Sequence, residues 1–353
     1  MADEMTANIS PRNQIVIVHC SDLHFGEVPA NNIFHSSWPR REQNAHDLKL
    51  CMGLEVAMED VRDLTDLADD EPIRFVMSGD LTLAGSDKEF LVGQSFLRSL
   101  FQLRRYPVTD TVGFNVRGSV VPEELPLRAV PGNHDHWCGS RWMWGNNPNI
   151  RNSQFRKTSW VIPWRQDALM LEVCGLDSCA GVSPRVRNKR QIGMLDLSQN
   201  GEVEVLRAEL QIRDQQALPD GVRFRIRALV VHHSLAYAGG FRGALKLDDA
   251  SKKVLLELAE EFKISAFLTG HTHDFFFDPP FDTLPNGSHK VYELRSASTL
   301  QGPATRKSPE PPGFWVHRIQ VIDNSVQWSS WRYYWDGASA FLPKNRSTPC
   351  VQF

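Results

Sequence analysis

The 353-residue chain reads as an α/β protein with a mixed sheet. Two observations predict this. Short β-branched runs alternate with apolar residues at helical spacing through the first part of the chain, whereas strand-like runs cluster toward its end. The composition, 41% hydrophobic and 23% charged, is that of an ordinary globular protein. Ten tryptophans and nineteen phenylalanines are generous and imply aromatic surface loops as well as a core.

Gln14 to His19 is a β-branched run that predicts a buried strand. Leu50, Leu54, Ala57, Val61 and Leu64 then repeat at four-three-four-three spacing, the apolar face of a helix covering a sheet. Ile73 to Ser78 predicts the second strand. Ser86 and Glu89 form a capping box that starts a helix with Phe90, Leu97, Leu100 and Phe101 inward. Leu127 to Val130 predicts a third strand, Ala168 to Leu176 a fourth and Ile226 to Val231 a fifth. Helices are expected over Glu204 to Arg213 and around Val254, Leu255, Leu258 and Phe262, followed by a strand at Ile264 to Leu268. The last strands are expected at Val291–Leu294, Phe314–Val321 and Val326–Tyr334.

Short polar clusters end these apolar runs. They are Asp22-Leu23-His24, Gly79-Asp80, Gly132-Asn133-His134-Asp135, Val231-His232-His233 and Gly270-His271-Thr272-His273. Any one of them is commonplace at a strand end. Together, Asp22, His24, Asp80, Asn133, His232, His271 and His273 offer carboxylate, amide and imidazole. That set suits a borderline metal such as Fe, Mn or Zn. Seven groups exceed the needs of one ion and suit two that share a bridging carboxylate.

The five clusters, in this order, resemble the metal-binding signature of the calcineurin-like metallophosphoesterases from Asp22 to His273. The resemblance implies an αββα sandwich, two mixed β-sheets flanked by helices. It also implies that Asp22, His24, Asp80 and His273 hold one ion. Asp80, Asn133, His232 and His271 hold the other, with Asp80 as the bridge. His232 is taken over His233 because the family ligand is the first residue after the strand, although Ser234 replaces the usual proline two residues on. The implied activity is that of a dinuclear-metal phosphohydrolase, with attack by a hydroxide held between the ions. His134 sits beside a ligand without being one, and it is the natural group to protonate the leaving oxygen. Asp135 is the candidate to orient its imidazole.

Gly79-Asp80-Leu81-Thr82-Leu83-Ala84-Gly85 lacks the arginine with which the protein serine/threonine phosphatases grip phosphate. Gly-Asp-Leu-Thr, Gly-Asn-His-Asp, and Ser296-Ala297-Ser298-Thr299 followed by Gly313-Phe314 are more similar to the class III cyclic-nucleotide phosphodiesterase and glycerophosphodiesterase branch. The expected function is therefore a phosphodiesterase on a small or nucleotide phosphoester. The alternatives are a nuclease or phosphomonoesterase on the same site, or a catalytically inactive scaffold. The scaffold is disfavoured because all seven ligands and His134 are present.

Ligands spread from 22 to 273 must meet at one centre, so one domain is expected over 14–335. Insertions are expected at about 27–41, 107–127 and 136–160, with a flexible N-terminus at 1–13 and a C-terminal tail at 336–353. The net charge of −3 argues against non-specific nucleic-acid binding. Six cysteines without a CxxC pair point to reduced thiols. Residues 1–13 lack the apolar core of a signal peptide, and no run approaches a membrane span. The expected localisation is cytoplasmic, with no membrane partner.

The insertion after His136 holds Trp137, Arg141, Trp142 and Trp144, and long irregular stretches within a domain are commonly functional. Trp137 and Trp142 are expected to stack on a base or other flat leaving group, with Arg141 near the phosphate. Stacking of that kind contributes about 1–3 kcal/mol. Trp137→Ala or Trp142→Ala is accordingly predicted to raise KM for a nucleotide ester about 5- to 150-fold, leaving a small alkyl diester and the melting temperature nearly unmoved. Equal losses on both esters with earlier melting would assign the tryptophans to packing.

Overall fold

The computed structural model describes residues 13–28, 43–68, 71–103, 115–116, 119–120, 127–136, 159–182, 192–235, 246–277, 281–282, 289–302, 309–344 and 350–352. Much of the three expected insertions lies outside the described residues, including Trp137, Arg141 and Trp142. In chain order the principal elements are β1 (Gln14–Cys20), α1 (Leu48–Thr65), β2 (Arg74–Met77), α2 (Asp87–Leu103), β3 (Leu127–Ala129), β4 (Ser159–Gln166), β5 (Leu169–Leu176), α3 (Glu202–Gln215), β6 (Phe224–Val230), α4 (Asp249–Phe262), β7 (Ile264–Thr269), β8 (Lys290–Arg295), β9 (Gly313–Ile322), β10 (Ser325–Trp335), β11 (Phe341–Lys344) and β12 (Cys350–Gln352).

Local sequence explains the helix ends. Asp47 caps α1 by accepting from the Lys49 N–H. Asp66 closes that helix in the left-handed conformation, its N–H donating to the Arg62 and Asp63 carbonyls. At α2 the capping box forms in both directions. Glu89 Oε2 accepts from the Ser86 N–H at 3.1 Å, and Ser86 Oγ accepts from the Glu89 N–H at 3.3 Å.

The strands build two sheets. The first has the order β11-β10-β9-β1-β2-β3, with β12 also on β10. β1, β2 and β3 run parallel, and β9, β10 and β11 are antiparallel neighbours. The second has the order β8-β7-β6-β5-β4, with β5 to β8 parallel and β4 antiparallel at one edge. The tail expected at 336–353 is corrected here, because β11 and β12 both pair with β10.

Alternation along each strand sorts its side chains into layers. Ile15 and Ile17 of β1 enter the core between the sheets with Val76, Leu171, Val173, Ala228 and Leu268. Val16 and Val18 face the other way, toward Leu50, Leu54, Val61 and Phe90 of the first helical layer. On the far side, Val203, Leu206, Leu210, Leu255 and Leu258 cover Cys174, Leu176, Leu229 and Phe267. The result is four layers, helix–sheet–sheet–helix. Covered on both faces, the parallel strands read as continuous apolar runs rather than alternating ones. Cys20, Cys51, Cys174 and Cys179 are buried free thiols. No helix among the described residues is long and apolar enough to cross a membrane.

Leu171 is fully buried between the sheets. Leu171→Ala is predicted to destabilise the fold by about 2–5 kcal/mol, read as a lower urea midpoint at unchanged m-value. A shift below 1 kcal/mol would show that the inter-sheet layer is not close-packed there.

Candidate metal centre

The parallel strands decide where the candidate ligands lie. Asp22 and His24 follow β1, Asp80 follows β2, Asn133 follows β3, His232 follows β6, and His271 and His273 follow β7. Carboxyl ends of parallel strands open on one rim, the usual place for a ligand in such sheets. The two sheets together thus deliver seven side chains from five strand ends.

The backbone there is unusual. Asp22 (φ 53), His24 (φ 51), Asp80 (φ 53), His271 (φ 72) and His273 (φ 60) all lie in the left-handed region. Each such residue costs about 1–2 kcal/mol and persists only where its surroundings fix it. Asp22 N–H donates to the Gly79 carbonyl at 3.0 Å, and His24 N–H to that of Asp80 at 3.1 Å. His271 N–H donates to Asp22 Oδ2 at 2.9 Å. The close approach also explains Gly132, where a Cβ would sit 2.1 Å from Asp80 Oδ1.

Two groups result. In the first, His273 Nε2 lies 3.1 Å and His24 Nε2 3.7 Å from Asp22 Oδ1, with 3.3 Å between the two ring nitrogens. In the second, His232 Nε2 lies 3.3 Å from Asp80 Oδ2, 3.1 Å from Asn133 Oδ1 and 3.0 Å from His271 Nδ1. Asp80 Oδ2 is also 4.0 Å from His24 Nε2, so this carboxylate stands between the groups. Asp22 Oδ1 and Asp80 Oδ2 are buried without a hydrogen bond. Buried acceptors that converge without a donor are costly in themselves and fit a pair of cations. His232 Nδ1 donates to the Ser78 carbonyl at 2.6 Å, which turns Nε2 toward Asp80, Asn133 and His271.

Electrostatics follow this arrangement. Burial opposes ionisation of Asp80, but His232, His134 and His24 more than offset it and hold the carboxyl below its usual range. Burial would likewise keep His232 neutral, yet Asp80 raises it to about 9. A proton on His232 thus supplies the positive charge that the carboxylates demand. Burial, with the charges of His233 and His232, keeps His271 well below the usual imidazole range.

His134 lies on the 3₁₀ turn His134–His136, its imidazole edge-on to His24 with 4.7 Å between ring centroids. Burial lowers its pKa to about 4. The expected contact from Asp135 is corrected. The Leu83 carbonyl, 2.6 Å from Nδ1, orients the His134 ring. The Asp135 carboxylate accepts instead from Leu81 N, Thr82 N, Thr82 Oγ1 and Gly132 N at 2.8–3.2 Å. Burial and the charge of Asp80 raise its pKa to about 6. His233 turns away to Ser178 Oγ, 2.8 Å from its Nδ1.

Sequence reasoning missed the bracing layer. Ser298 Oγ donates to the Asp22 carbonyl at 2.8 Å, and Thr299 Oγ1 accepts from the Ser21 N–H at 3.2 Å. The signal is in the sequence, because Ser296 to Thr299 form a motif to which pattern alone gives no role.

A family model described as calcineurin-like phosphoesterase matches residues 15–275. No curated protein sequence matches the chain. Among solved structures, a dimetal phosphatase from Danio rerio superposes with a TM-score of 0.51 at 10% identity, covering 94% of this chain and 99% of that one. GAP50, the anchor in the inner membrane complex of Plasmodium, gives a TM-score of 0.49 at 11% identity, covering 96% and 90%. At such identities the first likeness speaks to the fold alone, and the second carries no argument.

Ligating imidazoles must be neutral, so cation uptake near pH 7 is predicted to release about one proton from His232 and a further fraction from His24, whose pKa is also raised, and to tighten as pH rises toward 9. Calorimetry in buffers of different ionisation enthalpy reads the proton count; no release would mean that His232 is not a ligand.

Proposed function

Because the chain belongs to the calcineurin-like phosphoesterase family, we propose that it is a phosphodiesterase hydrolysing a small or nucleotide phosphoester at a pair of metal ions. Asp22, His24, Asp80 and His273 would hold one ion. Asp80, Asn133, His232 and His271 would hold the other, Asp80 being common to both. The mixed oxygen and nitrogen donors suit Fe, Mn or Zn. When bound, such a pair supplies a nucleophile at neutral pH and stabilises charge on both oxygens of an in-line displacement at phosphorus.

The observation that carries the diester reading is the lock between Thr82 and Asp135. Thr82 Oγ1 and N–H both donate to Asp135 Oδ1, at 2.8 and 2.9 Å. The threonine of Gly-Asp-Leu-Thr and the aspartate of Gly-Asn-His-Asp, which separate this chain from the protein phosphatase pattern, are thus one contact. It fixes the turn bearing Asn133 and His134 against the turn bearing Asp80. Where the protein phosphatases carry a phosphate-gripping arginine, residues 81–85 have none. A phosphate monoanion, which is what a diester presents, demands less positive charge than a monoester.

His134 is the proposed proton donor to the leaving oxygen. Its Nδ1 is held at the Leu83 carbonyl, which leaves Nε2 to exchange the proton. Burial keeps the imidazole neutral before substrate arrives, and the negative charge of a phosphate beside it favours uptake of the proton.

Activity on bis-p-nitrophenyl phosphate in the presence of manganese is predicted to exceed that on p-nitrophenyl phosphate; the reverse order would make the enzyme a monoesterase. His134→Ala is predicted to retain metal but lose about 10²–10⁴-fold on an alkyl ester, and much less on p-nitrophenyl esters, whose leaving group scarcely needs a proton. An unchanged alkyl-ester rate would remove His134 from the reaction.

A further inference from the structure

β5, like β8, is a parallel strand whose end supplies no candidate ligand, yet the turn after it touches the neighbours of three. Asp177 and Ser178 follow it, both fully buried. The Asp177 carboxylate brackets His136 Nε2, with Oδ2 at 3.1 Å and Oδ1 at 3.3 Å. The Cys179 N–H donates to Oδ1 at 2.7 Å and fixes the carboxylate's own direction. His136 closes the 3₁₀ turn that starts immediately after Asn133. Asp177 therefore grips the turn that presents the Asn133 amide.

Ser178 does the same for the neighbouring turn. Its Oγ accepts from the His233 N–H at 3.3 Å and lies 2.8 Å from His233 Nδ1. Both contacts are satisfied together when the hydroxyl donates to Nδ1. The bonded backbone amide is one residue from His232, and the bonded ring packs on that of His271 with centroids 4.3 Å apart. Gly193 backs the ring from another side, where a Cβ would come within 2.5 Å of His233 Cγ. Asp22, by contrast, is braced by Ser298 on a different segment.

We propose that Asp177 and Ser178 are positioning residues for one ion of the pair, the one assigned to Asp80, Asn133, His232 and His271. Asp177 sets Asn133 through His136, and Ser178 sets His232 and His271 through His233. The proposal rests on the two-ion reading. Groups bonded directly to metal ligands commonly account for about 10–100-fold in metal affinity. Asp177 and Ser178 act one residue further out, so the lower end of that range applies, and it falls on one site and not the other.

The test is equilibrium dialysis of the full chain against manganese, with elemental analysis. Wild type is expected to bind two equivalents. Ser178→Ala and Asp177→Asn are expected to keep one at unchanged affinity and weaken the second about 10-fold, the lower end of the range for direct partners of ligands. Two backgrounds identify the weakened ion. In His273→Ala, adding Ser178→Ala should weaken the remaining equivalent; in His271→Ala the addition should change nothing. Ser178→Ala removes only a hydroxyl, so it carries the test alone if Asp177→Asn does not fold. Both equivalents weakened together, or neither, overturns the proposal. So does a third equivalent in wild type that Asp177→Asn abolishes, since Asp177 would then be a ligand itself with His136 and Cys179, which lie within reach. A wild type that binds fewer than two equivalents overturns the two-ion reading beneath it, and that result is seen before any variant is made.

Discussion

The structure turns on one buried carboxylate. Asp80 leaves β2 in a left-handed turn with its Oδ1 accepting from the His134 N–H at 2.8 Å and its Oδ2 facing both histidine groups. A carboxylate sealed from water is stabilised only by positive charge or by donors. The surrounding imidazoles, the left-handed backbones and the close approach of Gly132 all serve to bring such partners to it. The two-sheet architecture follows the same need, because neither sheet alone carries enough groups at its rim.

The layers around that carboxylate were legible in sequence wherever a period or a local motif carries the information. β1 reads as a strand because it is covered on both faces, and the Ser86–Glu89 capping box is spelled out within four residues. The polar clusters at strand ends were legible as a group. The bracing contacts were not, for a physical reason. Thr82 and Asp135 are 53 positions apart, and nothing in the pattern of either announces the other. The orientation of His134 depends on the Leu83 backbone carbonyl, a group that every residue possesses. The five candidate ligands with positive φ are aspartates and histidines, which enter the left-handed region more readily than most residues, so their strain does not stand out in the sequence. The short strands β11 and β12 lie in a stretch with proline, asparagine and serine, so pairing with β10 outweighs local preference.

The pairing of strand ends with candidate ligands also separates two jobs. The rim residues are fixed by bonds between turns, as between Asp22 and Gly79 or Gly270 and the His232 carbonyl. Two of the expected insertions leave the chain shortly after His24 and at His136. A rim held this way can keep its geometry while the chain beyond it varies.

The spread of these groups along the chain has a consequence for synthesis. While the polypeptide is still emerging, residues 22–133 present Asp22, His24, Asp80 and Asn133, whereas His232, His271 and His273 come about a hundred residues or more later. The first sheet needs β9, from residue 313 onward, to complete the far side of β1. A nascent chain therefore offers carboxylates with too few imidazoles, a weak and unselective trap for cations. Loading of the finished centre waits for both sheets, and each ion that binds only the folded form would add about 2.7 kcal/mol at a hundredfold excess over its Kd. Metal supply would set how long a newly made molecule lasts, as well as whether it works.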